Sequence, residues 1–254
     1  MPADRAIEVM HVEGDGELVL ADGRTLRLVG VAPIDAAAMA EVIRRQAATG
    51  AYLGGVADKP DRWGRYDAQV AVAGQSGLVS LIEPLVADGF AIWRADSVAP
   101  PRRGARTPVT GISEACAARL AALEAGARRA VRGSWAAPAP MPLLAEDVPK
   151  LKQYQGRFVV VTGRVLSVNE RRAMTFVNFG RVWSRDFFVE IARADWEKMA
   201  EDGISAKTLE GKRVMVRGDL MIREIAGGRE RRDTGGAPAI RLSVARSISV
   251  LDMD

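Results

Sequence analysis

At the start of the chain, apolar and polar positions alternate in short runs that end at glycines. Residues 7–13, 17–20 and 24–31 carry this period of two, separated by Gly14-Asp15-Gly16 and Asp22-Gly23, which predicts a three-stranded meander. The period then lengthens. Residues 36–48 are alanine-rich with Met39, Val42 and Ile43 at helical spacing, and Thr49-Gly50 ends the run. Residues 66–73 read as a further strand, 78–87 as a short helix ended by Gly89, and 90–94 as a short strand. A longer helix is predicted over 113–131, with Ser113 as its N-cap and Gly133 beyond its end.

The second half repeats this order. Strands are predicted over 157–168, 173–179 and 187–191, a helix over 194–201, and strands over 213–222 and 240–250. Three strands, a helix and two strands is the element order of an OB-type barrel. The first half has nearly the same order, although identity between the halves is too low to call a repeat. The expected class is mainly β with helices (α+β): two OB-type five-stranded β-barrels. Residues 136–142 hold three prolines and follow a helical pattern, so they read as a semi-rigid linker. The expected organisation is a domain over 1–137, a proline-rich linker over 138–147 and a second domain over 148–254. Residues 98–110 read as a basic, proline-rich loop.

Composition narrows the chemistry. Hydrophobic residues make up 48% and charged residues 27%, the values of a globular chain. No apolar run approaches the roughly 18 residues that would span a bilayer, so no membrane partner is expected. Residues 1–10 lack the basic flank and apolar stretch of a signal peptide, which leaves a cytoplasmic protein or the mature form of an exported one. Cys116 is the sole cysteine, so no intrachain disulfide and no thiolate zinc cluster can form. His11 is the sole histidine, which removes mechanisms needing two histidines. Catalysis would have to use carboxylates, arginines and a metal. Residues 1–137 hold 16 basic against 16 acidic side chains, whereas 138–254 hold 20 against 16. The positive excess therefore lies in the second half, the better candidate for attraction to phosphates.

Several stretches of the first half stand out together: Asp15-Gly16-Glu17-Leu18-Val19, then Arg27 to Asp35, then Asp61-Arg62-Trp63-Gly64-Arg65. Residues 85–91 and 124–135, the latter closing on Trp135, continue the series. Over residues 7–135 the chain resembles the staphylococcal nuclease (thermonuclease) family, which implies a nuclease-like barrel and calcium-assisted phosphodiester hydrolysis. The resemblance places Arg27 and Arg65 at the two arginine positions that stabilise a pentacovalent phosphate. It places Asp35 where the family has the glutamate that activates water, one methylene shorter. Glu17 stands at the first metal-binding aspartate, and Pro33 at a position whose backbone carbonyl helps hold the metal. Ala32 replaces the second ligand aspartate outright. The arginine half of the site is thus intact and the carboxylate half altered, which implies weak calcium binding and slow or absent hydrolysis. Trp63, in the loop before Arg65, could stack on a base.

The second half interleaves aromatics and arginines: Phe176, Phe179, Trp183, Phe187 and Phe188 among Arg171, Arg172, Arg181 and Arg185. This pattern resembles OB-fold nucleic-acid-binding domains, which hold single strands by stacking and phosphate contacts. Alternation puts Phe176 and Asn178 on one face and Val177 and Phe179 on the other, so some of these aromatics belong to the core. Trp183 and the arginines are the expected contacts, joined by Arg229, Arg231 and Arg232 in a glycine-rich loop over 226–236. The sequence therefore points to a nucleic-acid-binding protein, for DNA or RNA, with hydrolysis open. A scaffold of barrels for protein–protein contact is the alternative. Oligomeric state has no signature in the sequence.

Overall fold

The computed structural model describes residues 5–13, 16–74, 77–98, 111–136, 141–224 and 236–251. The chain divides into two units, Met1–Pro140 and Met141–Asp254. Each is mostly β-structure with a few helices around a curled sheet.

The first unit begins with β1 (Arg5–Ile7), followed by the three-stranded meander: β2 (Val9–Val12), β3 (Leu18–Leu20) and β4 (Thr25–Leu28). After β5 (Val31–Pro33) the chain turns into α1 (Ala36–Ala47), whose apolar stripe buries Met39, Ala40, Val42 and Ile43. β6 (Ala51–Val56), β7 (Arg65–Gly74), β8 (Gly77–Ser80), α2 (Ile82–Ala87), β9 (Ala91–Trp93) and α3 (Glu114–Arg129) complete it. The main sheet runs β1-β6-β7-β4-β3-β2, with β8 paired to β7. Its two end members are successive segments of one stretch of chain, separated by Glu8 alone. β4 and β7 are parallel, and their register sets Thr25 opposite Arg65 and Arg27 opposite Asp67. Leu18, Leu26, Ile43, Leu81, Leu85, Ile92 and Leu120 are fully buried, each contributing about 1.5–3 kcal/mol by leaving water.

Two elements differ from the sequence reading. β6 has no counterpart there, because Gly54 and Gly55 break its alternation; its register with β7 shifts at the same point, between Leu53 and Gly55. Residues 78–80, expected to begin a helix, instead pair back on β7, with Gly74 opposite Gly77 at the hairpin end.

The second unit opens with β10 (Leu143–Leu144) and α4 (Val148–Gln153), followed by β11 (Phe158–Arg164) and β12 (Ser167–Glu170). β13 (Met174–Asn178), β14 (Phe188–Ala192), α5 (Arg193–Glu201), α6 (Ala206–Leu209), β15 (Arg213–Arg223), β16 (Ala237–Leu242) and β17 (Ile248–Val250) follow. The sheet order is β10-β11-β15-β16-β14-β13-β12, with β17 on β15. Here too the path starts and ends near one stretch of chain, since β11 and β12 are separated by Val165 and Leu166. The linker expected over 138–147 is shorter. Residues 141–147 belong to the second unit: Met141, Leu143 and Ala145 are buried, and β10 lies parallel to β11. The apolar alternation there was masked by prolines. The single strand expected over 240–250 is two, β16 and β17, broken by a helical turn at Ala245–Ser247.

Pairing across this sheet builds two rows of residues. Asn169, Phe176, Glu190 and Arg241 stand opposite one another on β12, β13, β14 and β16. Ser167, Asn178, Phe188 and Ala239 form the neighbouring row. Val177 and Val189, between the rows, point the other way and are fully buried in the core.

Candidate nucleic-acid interface

In the first unit the motif residues assemble into a chain of ion pairs. The Asp61–Arg65 turn is tight: Gly64 takes a left-handed φ of 80°, its N–H donates to the Asp61 carbonyl, and Asp61 Oδ1 accepts the N–H groups of Trp63 and Arg65. That turn aims the Arg65 guanidinium at two carboxylates, Glu17 Oε1 at 2.5 Å and Asp61 Oδ2 at 2.8 Å. Arg27 donates from Nε and Nη2 to Asp67 Oδ1 at 2.8 and 2.6 Å, and its Nη1 lies 3.9 Å from Asp61 Oδ2. The two arginines therefore meet at Asp61. Burial raises the Asp61 carboxyl, but the Arg65 side chain and the two backbone N–H groups outweigh it and hold the pKa at about 2. Arg65 is driven above its ordinary value, against the opposing effect of desolvation, by Asp61 and Glu17.

Two residues given roles by the family resemblance make other contacts. Asp35 is the N-cap of α1; its Oδ1 accepts the Ala38 N–H at 3.0 Å, and among the described residues it makes no ion pair. Pro33 sits in β5 opposite Ala91. Glu17, expected at a metal, is nine-tenths buried and committed to Arg65. Among the described residues no group of three or more His, Cys, Asp or Glu side chains could hold a metal ion. With Glu17 engaged, Asp35 capping a helix and a methyl group at Ala32, the donor set does not fit a resident calcium ion. Asp67 was not singled out in the sequence, and Asp61 was noted only as part of its motif. Asp67 becomes visible only through the β4–β7 register. Trp63 is 62% exposed, with the Arg62 guanidinium 3.8 Å and the Arg65 guanidinium 4.7 Å from its ring centroid.

The second unit carries a cleft of about 840 Å³ over the two residue rows. Its floor is apolar. Phe176 and Phe188 meet edge to face at 5.9 Å, and Phe188, Ala237 and Ala239 form a cluster with Phe176 and Met221 packed against it. Arg171, Arg181, Arg223, Trp183, Asn169, Asn178 and Ser167 also line the cleft. Trp183 is 60% exposed. Its loop is pinned at the base by Phe179 and Phe187, 5.0 Å apart, and within by Asp186, which accepts the Val182 N–H and donates its own N–H to the Val182 carbonyl. Gly180 permits this packing: a Cβ there would lie 2.2 Å from Asp186 Oδ2. Glu190, 5% exposed, lines the cleft together with Glu224 and accepts from both Arg223 and Arg241, the latter at 2.8 Å.

Of the residues expected in this half, Arg171, Arg181 and Trp183 come together at the cleft. Arg185 instead pairs with Asp186 at 3.3 Å, and Arg172 is exposed but does not line it. Arg229, Arg231 and Arg232, like Arg102, Arg103 and Arg106 of the first half, lie outside the described residues. Phe188, Glu190 and Arg223 went unassigned in the sequence. Alternation already put Phe176 and Asn178 on one face, but which face was open could not be read.

No protein-family model matches the chain, and no curated protein matches it. Among solved structures, an aspartyl-tRNA synthetase from Entamoeba histolytica is 13% identical over 44% of this chain, with a TM-score of 0.28. A protein described as an aspartyl-tRNA synthetase of Leishmania major Friedlin is 14% identical over 42%, with a TM-score of 0.28. The chain covers 22% and 20% of those two structures. An OBody, AM3L09, bound to hen egg-white lysozyme is 21% identical over 40% of this chain and is covered over 88% of its own length, with a TM-score of 0.27. Likenesses this remote carry no argument about function. Among the described residues no helix is long and apolar enough to cross a membrane.

Proposed function

We propose that this protein binds single-stranded nucleic acid, DNA or RNA, in the cleft of its second unit. The observation that carries the reading is the cleft's composition: an apolar sheet face with Phe176 and Phe188, an exposed Trp183 on a braced loop, and Arg171 and Arg181 in the lining, beside an Arg223 that is paired with Glu190. Stacking on aromatic faces and guanidinium contacts to phosphate are the two forces that hold a strand without reading its sequence. A duplex hides its base faces, so the floor favours unpaired bases. The same reading takes both units as OB-type barrels, the first of them nuclease-like, supported by sheets whose path begins and ends near a single stretch of chain. Hydrolysis is no part of it, because the carboxylates of the first unit are occupied by Arg27, Arg65 and the helix cap.

The test is fluorescence anisotropy of labelled oligonucleotides about ten nucleotides long, single-stranded and duplex, across a salt series. Salt-sensitive binding that prefers the single strand supports the reading. Equal or absent binding to both forms removes it and leaves the scaffold role.

A further inference from the structure

In the first unit two guanidiniums face three carboxylates, Arg27 and Arg65 against Glu17, Asp61 and Asp67, which leaves the cluster one net negative charge. A guanidinium fork accepts a carboxylate or a phosphate through the same paired N–H donors. The three carboxylates are not equivalent. Glu17 is buried against Arg65, and Asp61 also fixes the turn through two backbone N–H groups. Asp67 bonds Arg27 alone, through two donors to a single oxygen. It sits there because β4 and β7 run parallel with Arg27 and Asp67 in register. The Arg27 side chain is 45% exposed, so a ligand can reach it.

We propose that Asp67 is an internal competitor that keeps oxyanions off Arg27: a phosphate-accepting fork held shut by the protein's own carboxylate. An incoming phosphate group must displace Asp67 from Arg27 and approach a cluster that is already net negative. The ligand class excluded is phosphate monoesters and diesters, and neutralising Asp67 opens the fork to them. One charge about 5 Å away changes affinity by roughly fourfold to a few hundredfold between water-like and surface-like permittivity. Partial exposure puts the expectation near the lower end, about tenfold.

The experiment titrates full-length protein with inorganic pyrophosphate and follows the Trp63 indole N–H by NMR, its signal assigned by Trp63→Phe. Trp63 reports because the Arg62 and Arg65 guanidiniums lie against its ring. Wild type should titrate weakly, Asp67→Asn about tenfold more tightly, and Arg27→Ala in the Asp67→Asn background should cancel the gain. Should Asp67→Asn fail to fold by circular dichroism, Asp67→Ser takes its place with the same expectation. Binding to the neutralised variant no tighter than to wild type overturns the proposal, as does a gain that survives loss of Arg27. A Trp183→Ala change in the second unit should leave the titration unmoved, so this result stands apart from that of the cleft.

Discussion

Replacing Trp183 by Ala should weaken single-strand binding without weakening the fold. The ring is 60% exposed, so little apolar surface returns to water on truncation and the stability change should stay within about 0.5 kcal/mol. Its loop is braced by Phe179, Phe187 and Asp186, none of which depends on the indole. Base–aromatic stacking contributes about 1–3 kcal/mol. At 1.4 kcal/mol per decade this is a loss of roughly five- to 150-fold in affinity. The assay is anisotropy with a labelled single-stranded decamer at fixed salt, alongside thermal unfolding of the same samples. Phe176 gives an internal comparison: it packs against Phe188, so Phe176→Ala should lower both affinity and melting temperature. An unchanged dissociation constant for Trp183→Ala, with folding intact, would refute the stacking argument.

Arg171 lines the cleft; Arg171→Ala should weaken binding evenly across sequences and lower the slope of log affinity against log salt by about one, read from a salt titration. Glu190→Ala removes a buried carboxylate from two partly exposed arginines, and a loss of about 1–2 kcal/mol in chemical denaturation is expected, with Glu190→Gln less severe because it keeps an acceptor. Asp61 supplies a pH test. Its folded pKa of about 2 lies below the ordinary 3.8, so its stabilisation is present above pH 4 and is lost as pH falls toward 2. The melting temperatures of wild type and Asp61→Asn should therefore differ at neutral pH and converge near pH 2; a constant gap would contradict the ion-pair account.

What could be read from the sequence followed periodicity. The meander, α1, α3 and most strands of the second unit were legible because their apolar positions recur at two or at three and four, although the runs 157–168 and 240–250 each hold two strands. β6 was hidden by Gly54 and Gly55, and residues 141–147 by prolines that suggested a linker where Met141, Leu143 and Ala145 are buried. The arginines of the first unit were found through a motif, yet their partners were not. Asp67 acquires meaning only when a parallel pairing sets it beside Arg27, and pairing between distant strands leaves no local trace. Asp35 shows the converse. It was singled out for chemistry, and its contact with the Ala38 N–H, which makes it a helix cap as well, has no signal beyond an acidic residue before an alanine-rich run. Glu190 was invisible for a similar reason, since a carboxylate inside a β-run gains its role from arginines on two other strands.

The shared strand at the ends of the first sheet has a consequence for the order in which that unit folds. Val12 meets Leu18 across a short turn, so the β2–β3 ladder can form early from neighbouring residues. Ile7 must wait for Ala51, after the intervening helix and meander have been laid down. Local contacts form fast and distant ones carry the entropy of a longer loop. Pairing of β1 with β6 should thus be the late event in assembly and the first to reverse, with the amides of Ala6 and Ile7 exchanging with deuterium well before those of Leu18 and Leu26.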